Sequence, residues 1–228
     1  MRPVTYDNGH PLARRFTSNV EQPSFPCVGA KSALGRGRMD ILVARDLRSA
    51  WDDLRILPAL ATTVAKYRAD REIFRTMVVI FEGPDDLSEA EFERHLWARA
   101  QSLSDKDAWV GYRPDPSVSA DPDDPHFSLS FAGEAFFVVG LHPHASRPAR
   151  RFETPAMVFN LHNQFEVLRE QQRYEKLRAA ILQRDLALAG SINPMLARHG
   201  ETSEARQYSG RQVEADWRCP FRRADAHA

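Results

Sequence analysis

The chain has 228 residues, 43% of them hydrophobic, and its 31 lysines and arginines are matched by 31 aspartates and glutamates. That length supports one domain with a core of its own. The zero net charge argues against a dedicated nucleic-acid binder, which needs surplus cations to displace counterions from phosphate. No run approaches the roughly 18 apolar residues of a bilayer span, and the first ten residues lack the apolar stretch of a secretory signal. The expectation is a soluble, cytoplasmic protein that engages neither membrane nor nucleic acid.

In chain order, residues 1–24 are polar, carry Pro3, Pro11 and Pro23 and show no periodicity, so they read as an arm. Phe25-Pro-Cys27 leads into 28–34, where the proline suits a helix start. From Asp46 to Asp70, Leu47, Trp51, Leu54, Leu57, Leu60 and Val64 make a helical apolar stripe, which Pro58 should kink or split. Thr76–Phe81 is a short apolar run rich in β-branched residues and predicts a buried strand. Ser88 and Glu91 have the spacing of a capping box, opening a helix that buries Phe92, Leu96 and Leu103. Four prolines and four aspartates between Arg113 and Pro125 mark a loop. Strands follow at 127–131 and 135–139, joined by a hairpin turn, and a fourth at 156–159. A long charged helix runs from Gln164 to about Leu188, with Phe165, Leu168, Leu177, Ile181 and Leu188 inward. The predicted fold is α+β: a small antiparallel sheet of about four strands flanked by helices, with long N- and C-terminal arms. Its parts are an arm at 1–24, a single domain at 25–221 and a disordered tail at 222–228.

The sharpest passage from an apolar strand into polar chemistry is at Gly140. Past it come His142, His144, Arg147, Arg150 and Arg151. Imidazoles beside guanidinium groups suit an anionic cofactor that also offers a metal. Haem is such a group, with iron on His142 or His144 and its propionates on the arginines. The commoner meaning of such a loop is a proline-stiffened turn with surface ion pairs. His162 stands at a strand-to-helix junction, as a second ligand, an acid–base group or a helix cap. The two cysteines, Cys27 and Cys219, read as free thiols in a reducing compartment. Each adjoins proline and lies within two residues of a phenylalanine, and is either a reactive or iron-ligating thiolate or inert and buried. Two thiols cannot complete a four-cysteine zinc site. No HExxH array, GxSxG elbow or glycine-rich phosphate loop is present. The loop through Asn193, Met195 and 203–211 either lines a pocket or is a plain connector.

Several of these stretches occur together in one order: Phe25-Pro-Cys27, the 136–143 run ending Leu-His-Pro, Ser146-Arg147 with Arg150-Arg151-Phe152, and Phe159-Asn-Leu-His162 with Gln164-Phe165-Glu166. Gly190–Leu196, Glu204–Arg211 and Trp217–Phe221 continue it. Together they resemble the YqcI/YcgG family, over about Phe25 to Phe221. The family includes haem-dependent N-oxygenases of natural-product pathways. These hydroxylate a guanidine nitrogen, that of arginine on the way to cycloserine or of a related compound on the way to guanitoxin. The resemblance therefore implies haem b contacted by the His142 region, dioxygen, a small guanidino or amine substrate, and electrons from an external reductase or reductant. A homodimer is compatible with it.

Within that reading, His142 and His144 are preferred as iron ligands over Cys27 and Cys219. A thiolate would favour O–O activation, while a neutral histidine needs help such as a carboxylate on its other nitrogen. Glu166 and Glu204 are the candidate carboxylates for a guanidinium, and Arg206 or Arg211 for an amino acid's own carboxylate. Two other classes compete. One is a haem carrier or gas sensor without turnover. The other is a haem-free transferase or hydrolase using Cys27 or Cys219 with a histidine base.

Overall fold

The computed structural model describes residues 4–71, 74–198 and 200–223. One five-stranded sheet organises it, in the order β1-β2-β5-β4-β3. The strands are β1 (Met39–Asp46), β2 (Thr76–Gly83), β3 (Leu129–Phe131), β4 (Glu134–Leu141) and β5 (Ala156–Leu161). β1 and β2 are parallel, and the other pairings are antiparallel. A parallel pair needs a crossover, supplied here by α3 (Asp53–Ala69).

Apart from the short β3, the side chains of each strand alternate between two cores. Leu42, Met77, Val79, Phe136, Val138, Met157 and Phe159 face α3 and α4 (Glu89–Trp109), around Trp97 and Leu96. Ile41, Val43, Val78, Ile80, Leu141 and Ala156 face the opposite way, toward α1 (Pro11–Glu21) and Leu168 of α5 (Asn163–Glu170). Partly buried residues of α2 (Val28–Gly35) and α6 (Tyr174–Ala189) pack there too. A short α7 (Ala205–Tyr208) closes one end.

Ser88 accepts the Glu91 backbone N–H while the Glu91 carboxylate accepts that of Ser88, so the capping box forms as expected. Ala132-Gly133 turns the β3–β4 hairpin with positive φ at both residues (52° and 77°), the backbone of a two-residue hairpin loop.

Five expectations are corrected. The sheet has five strands and is mixed, because Ile41–Ala44 forms the core of a strand beside β2. Residues 11–21, read as an arm, form α1, which buries Leu12, Phe16 and Val20. α3 continues through Pro58; Trp51 and Leu54, expected inward, are 67% and 76% exposed. The helix expected over 164–188 is two, parted at 171–173, where Gln172 takes a positive φ of 57°. The end of the expected tail, residues 224–228, lies outside the described residues. Among the described residues no helix is long and apolar enough to cross a membrane.

Candidate functional site

The strand faces that look toward α1, α2, α5 and α6 do not fill the space beneath those helices. A cavity of about 300 Å³ remains. Phe137, Val139, Val158 and Asn160 form its floor, and Phe16, Phe25, Phe165 and Leu177 are among its apolar walls. Into this greasy enclosure project a thiol, an imidazole and several guanidinium groups.

The thiol is Cys27, the cap residue of α2. The Ala30 backbone N–H donates to its Sγ at 3.4 Å. Burial pushes its pKa up, against the smaller opposing effects of the helix-end amides and the nearby Arg150 cation. The thiol is therefore neutral as it stands, and a cation bound at sulfur would draw off the proton.

The imidazole is His162, one residue past β5 and 5% exposed. Continuing the alternation of Val158 and Asn160, it reaches the cavity. Its Nε2 lies 3.4 Å from the Glu204 carboxylate, which is also buried and lines the same space. The Ser128 hydroxyl donates to Glu204, and the Tyr208 hydroxyl stands 3.3 Å from the same oxygen. Burial, then the Glu204 charge, pushes the Tyr208 pKa well up, so the phenol keeps its proton. The carboxylate thus fixes the imidazole and is itself fixed, the second-shell arrangement that orients a histidine ligand or proton carrier.

Arg150 lines the cavity and donates to the carbonyls of Gln207 (3.0 Å), Gly140 (3.2 Å) and Tyr208 (3.3 Å). Burial lowers its pKa to about 10, which leaves it charged at neutral pH. Arg147, also on the cavity, pairs with the buried Asp185 of α6.

The fold thus brings Cys27, Arg147, Arg150, His162 and Glu204 to one space, and sets the other predicted residues elsewhere. His142 is 1% exposed on the opposite face of the sheet, stacked on Phe92 of α4 at 4.3 Å. Burial lowers its pKa to about 4. The reason is strand parity: residues 136, 138, 140 and 142 turn toward α4, while 137, 139 and 141 turn toward the cavity. His144 is exposed. Arg151 staples its own loop by donating to the carbonyls of Ala145 and Ser146. Glu166 pairs with Arg169 at the surface. Cys219 packs in the α4 core with Trp97 and Phe221, and burial pushes its thiol up to about 12. Arg206 donates to the carbonyls of Glu214 and Trp217, and Arg211 pairs with the buried Glu93.

The residues missed in sequence are Arg75, Asn160, Gln164 and Arg178, all on the cavity wall. Asn160 and Gln164 stood in the motifs at 159–162 and 164–166; the Gln164 side chain accepts the Arg75 backbone N–H and donates to the Arg75 carbonyl. Among the described residues no three His, Cys, Asp or Glu side chains gather as they would around a metal ion.

No solved structure matches the chain. It is 26% identical over 217 residues to "Uncharacterized protein YcgG" of Bacillus subtilis (strain 168), covering 90% of this chain and 83% of that one. The sequence model of the YqcI/YcgG family matches residues 16–222, and the chain belongs to that family.

Proposed function

We propose that the cavity holds haem and that the protein is a haem-dependent N-oxygenase acting on a guanidine or amine nitrogen. One observation carries the reading: Cys27 and the His162–Glu204 pair open into a single, mainly apolar cavity that also displays guanidinium groups. A porphyrin asks for apolar walls, one strong axial donor and cations for its propionates. A metal arriving within a macrocycle brings most of its donors with it, which suits a site with few clustered side-chain ligands. The buried Nε atoms of Arg75 and Arg147 have no hydrogen-bond partner and line the same space, so anionic groups would find donors ready there.

Cys27 and His162 replace His142 and His144 as the candidate iron ligands, since they line the cavity. Bound haem would supply dioxygen activation, with one oxygen atom passing to nitrogen and the other leaving as water after two electrons and two protons arrive from outside. The chain's own residues do the rest. Cys27 would hold the iron through its sulfur, which already accepts the Ala30 N–H, a contact that favours the charged form. His162 holds or passes a proton at its ring, with Glu204 compensating the imidazolium. The apolar walls exclude water, which strengthens each polar contact inside. A thiol-dependent transferase would also use Cys27 near His162, but burial raises the thiol's pKa, opposite to what an activated nucleophile needs.

The test is optical. The purified protein, or the protein titrated with ferric haem, should show a Soret band that Cys27→Ser or His162→Ala shifts or abolishes. The ferrous carbon monoxide complex then separates the two ligands, a thiolate moving the band strongly to the red. Turnover with arginine, guanidino acids and simple amines should add one oxygen atom in the mass spectrum. A protein that binds no haem ends this reading.

A further inference from the structure

Five arginines and two acids are among the described residues that line the cavity. Both acids are engaged, Asp185 by Arg147 and Glu204 by His162. Arg169 has Glu166. Arg75, Arg150 and Arg178 have no carboxylate within ion-pair distance among the described residues. The carbonyl groups around Arg150 satisfy its hydrogens without neutralising it. The Arg75 Nε is buried with no acceptor at all, and Gln164, itself buried, grips both backbone polar groups of Arg75 and so fixes its position.

Elsewhere, buried carboxylates of α3 and α4 have cationic partners. Asp53 meets Arg99 and Lys106, and Glu93 meets Arg211. Unpaired guanidinium at the wall of an apolar space is costly, and the cost is relieved when a ligand brings the counter-charge. We propose that this cavity takes a ligand, or a cofactor and substrate together, carrying at least two carboxylates, with Arg75 and Arg178 as anion-receiving residues alongside Arg150. The inference uses the same cavity as the proposed function but does not need haem.

Two dyes with one skeleton test it: 8-anilinonaphthalene-1-sulfonate and the neutral N-phenyl-1-naphthylamine. The wild-type protein should bind the sulfonate about 10-fold more tightly or better, the size of one charge-assisted hydrogen bond. Arg75→Met and Arg178→Met, singly and together, should erase the preference while neutral-dye affinity stays, which also reports an intact cavity. Arg75→Lys, which keeps the charge, should retain most of the preference. Two further arms locate the carboxylates. Loss of preference for ferric protoporphyrin IX over its dimethyl ester assigns them to the cofactor, and loss of preference for arginine over agmatine assigns them to the substrate. No sulfonate preference in the wild-type protein, or one that survives both substitutions, overturns the proposal. Preference for the sulfonate with no porphyrin bound would sink the haem reading and leave this one standing.

Discussion

The sheet face beneath α3 and α4 buries Trp97, Phe92 and Tyr67 in close contact, whereas the face beneath α1, α2, α5 and α6 leaves about 300 Å³ unfilled. Both faces use the same strands, one residue out of step. On the packed face aromatic rings meet aromatic rings and the Asp53 and Glu93 carboxylates each have a cation: Trp97 stacks on Tyr208 at 5.7 Å, Asp53 accepts from Arg99 at 2.6 Å, and Glu93 pairs with Arg211. On the cavity face, apolar walls surround three guanidinium groups, of Arg75, Arg150 and Arg178, that have no carboxylate partner among the described residues. Close packing with paired charge is how a chain stabilises itself; an apolar space with unpaired charge is how it waits for something else.

That contrast is open to attack by mutation, and the largest effect should come from the packed face. Arg99→Met strands the fully buried Asp53 carboxylate beside a half-exposed Lys106, and should cost about 3–5 kcal/mol of unfolding free energy in urea titrations. A loss under 1 kcal/mol would mean that Lys106 and Ser102 alone hold Asp53. His142 gives a pH signature of similar size. Its pKa falls from 6.5 to about 4 on folding, so the unfolded chain binds the extra proton between those values. Stability from this group is complete above about pH 6.5 and drains as pH drops toward 4, by on the order of 3 kcal/mol. Asp107, raised to about 6 by burial, slopes the other way. The measurement is therefore the difference between wild type and His142→Phe, which keeps the stack on Phe92. Equal slopes in the two proteins would contradict the buried, neutral imidazole.

Gly140 comes next. A Cβ there would stand 2.6 Å from Leu96 Cδ1 and 2.8 Å from the Phe92 ring, so Gly140→Ala should lose about 1–3 kcal/mol, read as a drop in melting temperature. The finest test compares neighbours on one strand. Val138→Ala, on the packed face, should cost about 2 kcal/mol, and Val139→Ala, on the cavity face, no more than about 1 kcal/mol. Only the second should alter the affinity for a neutral naphthylamine dye. The reverse order would mean that the two faces are packed alike.

Much of this plan is visible in the amino-acid order, where chemistry is local. The Ser88–Glu91 box, the β-branched run of β2 and the short β3–β4 turn each carry their own signal within a few residues. Ile41–Ala44 carries a weaker one: four apolar residues read equally well as helix or strand, and only hydrogen bonding to β2 decides. Trp51 and Leu54 sit at helical spacing yet face outward, because the spacing marks a stripe without saying where the core lies. The site divides the same way. Cys27, Arg147, Arg150, His162 and Glu204 stood in recognisable motifs, while Arg75 and Arg178 look like ordinary charged residues until the chain folds.

By itself, then, the sequence determined the residue types and the local elements that carry them: a thiol before a helix, histidines at two strand ends, a run of arginines. Which histidine meets the cavity was decided only in three dimensions. His142 and His162 leave adjacent antiparallel strands, and the parity of each strand sends one toward Phe92 and the other toward Glu204. A period of two residues is easy to read along a strand. Which face closes into a core and which is left open depends on where distant helices come to rest.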